Sequence, residues 1–257
     1  VQALWLKVFH VQKHRQLMLM TFVSVFVFME KQRNHLQFLS VDLYWRWSWI
    51  DYDSSGYGYH GTLVGIPTIS SNTPRYSASI SFNGTTDSVN AGKSFEVEKA
   101  QAMTFSCWVY TDNWTGQISI LYQAKKMAIL IRILTDKKIR ARINAFTAED
   151  YSTNGYVDAD ATISTLNNSE WHLLTGVYNT SSLKLYIDGE LKSTKTSTTY
   201  GLHFNSSTNL FLAAECAGSI PSNFCACTLS DIRIYYTALS DDAVRQLYEV
   251  SAKIDKE

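Results

Sequence analysis

The stretch EWHLLTGVYNTSSLKLYIDGELK, residues Glu170–Lys192, has the pattern of three short strands joined by two tight turns. Every second side chain of Trp171–Val177, and again of Leu183–Ile187, falls on one face of an extended chain, and most of these are apolar. Between the second and third strands stands Asp188-Gly189, a dipeptide typical of the type I′ turn, in which both central residues take positive φ. The stretch predicts an antiparallel β-meander.

The flanking sequence continues this pattern in both directions. Lys138–Phe146 alternates apolar with polar residues, which predicts a strand with one buried face, and Ile129–Leu134 is apolar on both faces, as in a central strand. We expect Leu210–Glu215 and Leu229–Tyr236 to form a further strand pair. Many short strands separated by turn residues predict an all-β, antiparallel two-sheet sandwich.

One helix is predicted near the carboxyl end of the chain. Ser240 has a side chain suited to the N-cap, and the acids that follow it lie where the helix dipole favours negative charge. Leu239 can pack against Val244, and Leu247 and Tyr248 extend the same apolar face. This helix is long enough to cover part of one sheet.

Composition argues against a nucleic-acid partner, because formal net charge is zero and 18% of the 257 residues are charged. Residues 1–40 differ from the rest: five basic side chains and one acid give them about +4. Within them, Leu17–Met29 is apolar and follows basic residues, like a signal peptide or a membrane anchor. The alternatives for residues 1–40 are an artefactual leader or the tail of an upstream domain. A membrane partner is expected only if Leu17–Met29 is an anchor.

The four cysteines do not have the spacing of a disulfide framework. Cys225 and Cys227 are too close in sequence to pair readily, and no CxxC motif suggests zinc. A bridge between Cys216 and Cys225 across a loop is geometrically possible. Free thiols are the favoured interpretation, since a domain of this size can build its core without covalent staples.

Five segments, in order, resemble motifs of the laminin-G-like jelly-roll family within the concanavalin A-like lectin/glucanase superfamily. They are DSSGYGYHGTLVG (Asp53–Gly65), ISFNGTTDSVNAG (Ile80–Gly92), MTFSCWVY (Met103–Tyr110), Glu170–Lys192 and LSDIRIYYTALSDDAVRQLYE (Leu229–Glu249). The resemblance implies a concanavalin A-like jelly roll with a short C-terminal helix over residues 41–250, followed by a tail or linker at residues 251–257. The ending is similar to domains in phage and prophage tail or minor structural proteins.

The glucanases of this superfamily make catalysis worth testing against the sequence. Their two carboxylates lie in a Glu-x-Asp-x-x-Glu run, which this chain lacks, and adjacent Glu149 and Asp150 would point to opposite faces of a strand. None of the six histidines lies in a recognisable metal or nucleophile motif, and His60 and His172 are read as structural. We therefore expect a binding protein, with glycoside hydrolysis as the least favoured alternative.

The leading hypothesis is a non-catalytic carbohydrate-binding or adhesion module that acts outside the cell, on the cell surface or on a virion. Sugar C–H faces pack on aromatic rings, and sugar hydroxyls bond to amides and carboxylates. Loop-like segments offer both kinds of group at Asp112, Asn113, Trp114, Tyr122, Tyr151, Asn154 and Tyr156. The rival is an architectural domain that contacts other structural subunits. A third alternative is an extracellular eukaryotic domain glycosylated at its Asn-x-Ser/Thr sequons.

The family resemblance also implies a structural calcium ion. Asp53 in the first motif and Asp231 in the last strand are the matched candidates, on strands expected to be adjacent. Calcium takes six to eight oxygen ligands, of which the sequence suggests two.

Overall fold

The structure is a computed structural model that describes residues 61–70, 72–74, 79–92, 100–116, 119–123, 129–163, 166–203, 209–216 and 220–250 in full. Residues 23–28, 38–43, 50–53, 118 and 251–252 are described by backbone alone. The described strands are β1 (Val23–Phe28), β2 (Phe38–Leu43), β3 (Ile50–Asp53), β4 (Gly61–Val64), β5 (Thr68–Ser70), β6 (Ser79–Asn83), β7 (Ser88–Asn90), β8 (Ala102–Tyr110), β9 (Ile118–Gln123), β10 (Ile129–Ile133), β11 (Lys138–Phe146), β12 (Asn154–Thr162), β13 (Trp171–Asn179), β14 (Ser182–Ile187), β15 (Glu190–Thr196), β16 (Leu210–Leu212) and β17 (Ala226–Tyr235). A single described helix, α1 (Asp241–Ala252), follows them.

The strands form two antiparallel sheets, which confirms the predicted jelly-roll sandwich. One sheet has the order β1-β2-β3-β4-β7-β16-β9-β10-β11-β12, and the other has the order β15-β14-β13-β8-β17-β6-β5. From β4 onward each sheet contains seven strands, and β1–β3 extend the first sheet at one side. The predicted pairing of Leu210–Glu215 with Leu229–Tyr236 is wrong: β16 lies in the ten-stranded sheet and β17 in the seven-stranded sheet.

The N-terminal part of the chain joins the first sheet through its backbone. β1 falls within the apolar run Leu17–Met29 and pairs with β2, which crosses the expected boundary between residues 40 and 41. The remainder of that apolar run lies outside the described residues. Among the residues that the structure describes, no helix has both the length and the apolar character needed to span a bilayer.

The core lies between the two sheets. Phe105, Cys107 and Val109 of β8 point inward from one sheet and meet residues such as Ile131 and Ile143 from the other. Phe105 lies against Gly176 of β13, its partner in the register, and a Cβ built on Gly176 would come within 2.4 Å of the Phe105 ring. All four cysteines are buried and carry thiols rather than disulfides, in agreement with the favoured interpretation.

The outer faces of the two sheets differ in what covers them. On the seven-stranded sheet, Val177 and Tyr186 pack against Val244 of α1, and Trp108 stacks on Tyr248 with ring centroids 5.6 Å apart. The helix therefore closes that face over a second, small apolar cluster. In the ten-stranded sheet, the outer face of β10, β11 and β12 carries charged side chains instead.

Local signals in the sequence position α1 as predicted. The side chain of Ser240 accepts a hydrogen bond from the amide of Ala243 at 3.1 Å, and its carbonyl accepts one from the amide of Val244 at 2.9 Å. Leu239 packs against the cluster that contains Val244, as a hydrophobic staple does.

Removal of the cap is expected to weaken the docking of the helix. Ser240→Ala leaves a first-turn amide without its side-chain acceptor, so we expect the free energy of unfolding to fall by about 1 kcal/mol. Ser240→Asn restores an acceptor and should remain close to wild type. Urea unfolding followed by circular dichroism measures the difference, and equal losses in the two variants would contradict the capping role.

The turn between β14 and β15 has the predicted conformation. Asp188 and Gly189 take φ of 54° and 76°, as a type I′ turn requires. Space also demands glycine there, because a Cβ at Gly189 would lie 3.0 Å from the Cβ of Tyr248. The Asp188 carboxylate folds back toward the start of β13, where it accepts hydrogen bonds from His172 Nδ1 at 2.7 Å and from the amide of Leu173 at 2.9 Å.

Candidate functional site

The outer face of the β11–β12 ribbon carries a continuous row of polar and aromatic side chains. Antiparallel register places Arg140 opposite Asp160, Arg142 opposite Asp158 and Asn144 opposite Tyr156. The residues that alternate with them point into the core; these are Ile139, Ala141, Ile143 and Ala145 of β11 and Val157, Ala159 and Ala161 of β12. Strict alternation over nine residue pairs therefore places one set of side chains inside and the other on the surface.

Two arginines and two aspartates on this face form a ladder of ion pairs. Arg140 donates through Nε and Nη2 to Asp160, both at 2.7 Å, and its Nη1 lies 3.0 Å from Oδ2 of Asp158. Arg142 donates through Nε and Nη2 to Asp158 at 2.6 and 2.7 Å. Bidentate pairing of this kind fixes the planes of both partners, so the ladder presents its polar atoms in a set geometry.

The ladder continues onto β10 and β9. Arg132, opposite Arg140 in the register, donates to Ser119 Oγ at 3.1 Å and to Glu215 Oε2 at 2.5 Å. Glu215 also accepts a hydrogen bond from Asn223 Nδ2 at 2.7 Å. Each of the three arginines in this row thus faces a carboxylate.

Aromatic rings stand at one end of the ladder. The guanidinium of Arg142 lies 4.6 Å from the centre of the Tyr156 ring, which remains 52% exposed. Next to it, Phe146 receives the edges of Tyr151 and His203, with ring centroids 5.0 and 4.8 Å away. This end combines exposed ring surface with the charged groups of the ladder.

Three of the predicted contact residues meet at this end. Asn154 is exposed and pairs with Phe146 in the register, two residues before Tyr156 on the same face. Tyr151, in the β11–β12 turn, is 37% exposed with φ of 60° and packs on Phe146. Tyr151, Asn154 and Tyr156 therefore form one accessible group.

Trp114 and Tyr122 do not fit the sugar-contacting role predicted for them, because both are buried. Trp114 is 4% exposed, donates from Nε1 to the carbonyl of Asn167 at 3.1 Å and packs edge-on to His172. Tyr122 is 2% exposed and packs with Leu130 under the ladder. Burial raises the pKa of Tyr122, as do the charge of Glu215 and the hydrogen bond to it.

Asp112 and Asn113 are exposed but belong to another part of the molecule. Asp112 accepts a hydrogen bond from Ser169 Oγ at 2.6 Å, and Asn113 accepts one from the amide of Thr115 at 3.0 Å, as in a polar turn. This turn follows β8, next to Trp171 at the start of β13. The Tyr156 group lies near the other end of β13: the Tyr200 amide donates to the Phe146 carbonyl at 2.9 Å, and the adjacent Thr199 amide donates to the carbonyl of Thr180, just after β13. Nine-residue β13 separates the two ends by roughly 26 Å.

The two expected calcium ligands, Asp53 and Asp231, lie on strands of different sheets. Asp231 lies at a bulge of β17 with φ of 47°, and both of its carboxylate oxygens accept hydrogen bonds from Arg233 at 2.7 Å. Asp53 ends β3, which pairs with β2 and β4 in the other sheet, so the expected adjacency of the two strands is wrong. The guanidinium of Arg233 also sets a positive charge beside Asp231, and that charge would repel a calcium ion.

The sequence reasoning missed the ladder itself. Arg140 and Arg142 at alternate positions, followed by Asp158 and Asp160 at alternate positions of the next strand, were a readable signal. In an antiparallel pair, residues directly opposite each other have their side chains on the same face of the sheet, so a register that aligns the arginines with the aspartates brings them into contact. Glu215 carried no comparable signal, since it reaches Arg132 across 83 residues of chain.

A cavity of about 250 Å³ lies at the β14–β15 turn. Its described lining consists of Leu166, His172, Ile187, Asp188, Glu190, Lys192 and Tyr248. Its charged groups are paired with each other: His172 with Asp188, and Lys192 with Glu190 at 2.6 Å. Tyr248 is stacked on Trp108, so the cavity offers less aromatic surface than the Tyr156 group.

Solved structures with the same fold include binding domains of botulinum neurotoxins. The botulinum neurotoxin serotype G binding domain matches with a TM-score of 0.59 and 14% identity over 79% of this chain and 49% of that chain. The serotype D ligand binding domain in complex with N-acetylneuraminic acid matches with a TM-score of 0.56 and 16% identity over 89% and 50%. The binding domain of neurotoxin DC in complex with rat synaptotagmin II gives 0.58 and 15% over 88% and 51%.

The chain spans about half the length of these solved structures. No curated protein sequence matches it. A family model described as the concanavalin A-like lectin/glucanases superfamily, of the laminin-G type, matches residues 83–245, which is more than half of the chain. The chain therefore belongs to the laminin-G-type family of the concanavalin A-like lectin/glucanases superfamily.

Proposed function

We propose that this protein is a non-catalytic carbohydrate-binding module whose ligand lies on the outer face of the β11–β12 ribbon. The observation that carries the proposal is the half-exposed ring of Tyr156, held against Arg142 at the end of the ion-pair ladder. Few exposed aromatic rings occur in the described part of the chain, and Tyr156 and Tyr151 stand close together.

The chemistry of this face suits a saccharide. A pyranose ring presents C–H groups that pack on an aromatic ring, which Tyr156 and Tyr151 offer. Its hydroxyl groups both donate and accept, and Asp158 and Asp160 retain partly exposed oxygens with lone pairs beyond those that bind arginine. The exposed amide of Asn154 adds a donor and an acceptor beside the rings.

The same geometry argues against hydrolysis on this face. A glycosidase needs one carboxyl group that carries a proton toward the leaving oxygen and a second that acts on the anomeric carbon or a water. Here both oxygens of Asp158 and both of Asp160 accept guanidinium N–H groups. We therefore assign binding rather than turnover to the ladder.

The fold relatives lend limited support to this assignment. One of them is described as a complex with N-acetylneuraminic acid, and another as a complex with SialylT. Their identity to this chain is near 15% and the match covers about half of them, so their ligands need not lie on the matched half. Membership of a lectin-containing superfamily favours sugar binding, and the residues on this face decide where it would occur.

A glycan partner places the proposed site of action outside the cell, on a cell surface or on a virion. The second candidate function, an architectural contact with other protein subunits, is favoured by one observation: Ile220, two residues before the partner of Glu215 in an isolated bridge, is 82% exposed. Exposed isoleucine contributes little to sugar recognition and much to a protein interface. Ile220→Asp should leave saccharide binding intact and should disrupt such an assembly.

Truncation of Tyr156 tests the proposed site. Tyr156→Ala removes the stacking surface and its contact with Arg142, so we expect saccharide affinity to fall at least about tenfold, a loss of about 1.4 kcal/mol. Tyr156→Phe keeps the ring and should bind within about threefold of wild type. A glycan array identifies the saccharide, and isothermal titration calorimetry measures its dissociation constant for each variant.

Leu191→Ala is the matched control for this experiment. Leu191 is an exposed apolar side chain on β15, in the other sheet. Its loss should leave affinity unchanged. The proposed site is wrong if Tyr156→Ala binds like wild type, and the proposed function is wrong if no saccharide binds at all.

A further inference from the structure

The ion-pair ladder is balanced in charge. Three guanidinium groups, those of Arg132, Arg140 and Arg142, face three carboxylates, those of Glu215, Asp158 and Asp160. Arg140 and Arg142 use both Nε and Nη2 on their partners, and Arg140 commits Nη1 as well. The Nε edges of these two partly buried arginines are thus already taken.

Two acids lie on the turn side of the aromatic end of the face. The turn between β11 and β12 contributes exposed Glu149 and Asp150, and residues 147–156 contain no lysine or arginine. Asp150 is held in place by accepting a hydrogen bond from the amide of Ser152 at 2.9 Å. A ligand that stacks on Tyr151 or Tyr156 therefore meets negative charge on its loop side.

An anionic sugar would be disfavoured on such a surface. The Nε edges of Arg140 and Arg142 already hold aspartates. A sialic acid carboxylate or a sulfate would therefore either displace an aspartate, which would lose its paired charge, or bind through the remaining Nη donors beside the same carboxylates. The incoming anion would also lie near the carboxylates that remain, and like charges at close range repel. Hydroxyl groups face neither cost, because they add hydrogen bonds to the lone pairs that arginine leaves open.

We propose that the β11–β12 face selects uncharged glycans and discriminates against sialylated and sulfated ones. The inference rests on the proposed function, since it names the class of saccharide that this same face would take. It distinguishes the chain from the fold relatives described with N-acetylneuraminic acid or SialylT. The balanced ion pairs then lower the affinity of this face for acidic sugars relative to uncharged ones.

Matched glycan pairs test the selectivity. The full chain is applied to an array that carries neutral oligosaccharides of several classes together with the sialylated and 6-sulfated forms of the same structures. We expect every bound structure to bind at least about tenfold more weakly once it carries the acidic group. Stronger binding of the acidic form overturns the selectivity alone, whereas no binding to any saccharide overturns the proposed function and this inference together.

A charge-switch variant provides an independent test. Asp158→Asn removes the negative partner of Arg142 and the neighbour of Arg140 Nη1, and so frees guanidinium donors on the face. We expect the ratio of acidic to neutral glycan binding to rise at least about tenfold. Asp242→Asn, which removes one acid of an exposed pair on α1, should leave the ratio unchanged.

Salt dependence keeps the inference testable if Asp158→Asn does not fold. Binding of an uncharged glycan to wild type should vary less than about twofold between 50 and 500 mM salt, because no ligand charge is screened. If the acidic form of the same glycan binds more tightly, and if that binding weakens about tenfold over this range, a ligand charge is being recognised and the proposal is overturned. An unchanged ratio in folded Asp158→Asn would also overturn it.

Discussion

Phe105→Ala is expected to lower the free energy of unfolding by about 3–5 kcal/mol, the largest effect that we predict for a single substitution. Phe105 lies on the inner face of β8 with no exposed surface, and its ring fills the space above Gly176 of the neighbouring strand. Alanine would leave a void that glycine, having no side chain, cannot fill. Guanidinium unfolding monitored by tryptophan fluorescence measures the loss.

The reciprocal change tests the same contact from the other strand. Gly176→Ala places a methyl group 2.4 Å from the Phe105 ring, so we expect a loss of about 1–3 kcal/mol from overpacking. In the double variant Phe105→Ala, Gly176→Ala the methyl group enters the void, so the combined loss should be smaller than the sum of the two. Leu191→Ala, on the surface, should change stability by less than about 0.5 kcal/mol. Additive losses would show that the two residues do not share this space.

The second large effect concerns His172 and Asp188, and it depends on pH. Burial lowers the pKa of His172, but the hydrogen bond with Asp188, its charge, the Asn167 carbonyl and Glu170 outweigh burial and raise the pKa above the usual 6.5. A histidine whose pKa is raised by folding stabilises the native state fully below the unfolded value, and that contribution disappears as pH rises through the folded value. The pair is therefore strongest in mildly acidic solution.

Asp188→Asn is expected to cost about 1.5–3 kcal/mol near pH 5.5 and clearly less above the raised pKa of His172. Asparagine tolerates the positive φ of this turn and keeps one oxygen for the amide of Leu173, so the change mainly removes charge. Urea unfolding of both proteins from pH 5 to pH 9 gives the difference directly. Asp112→Asn, at the exposed turn after β8, is the control. A difference that does not change with pH would exclude an ionised pair.

Local chemistry predicted much of the fold. The Asp188-Gly189 turn, the alternation of Lys138–Phe146 and the cap at Ser240 each depend on residues a few positions apart, and each has the predicted structure. The partnership of Leu210–Glu215 failed because choosing between two sheets depends on how the chain crosses from one to the other. Alternation assigns a strand its buried face but not its neighbours.

The candidate site was predicted only in part, for a related reason. Tyr151, Asn154 and Tyr156 lie within one turn and its strand, so proximity in sequence placed them together. Trp114 appeared exposed because its neighbours are polar, yet its indole reaches the carbonyl of Asn167, 53 residues away. Burial of a single ring by a distant loop leaves no periodic trace in the sequence. The contact of Arg132 with Glu215 was hidden for the same reason.

The position of β12 gives the ion pairs a consequence for solubility. Among the strands that the structure describes, β12 is the last of its sheet on that side. A terminal strand can pair with a strand of another molecule through its outward backbone groups. A strand added at this edge would place its side chains beside Asp158 and Asp160. The negative charges of these two residues are balanced by arginines of β11, and the added strand would have no matching charges. We therefore expect the ion pairs to protect this edge strand from aggregation, a role that a proline or a β-bulge serves in other sheets.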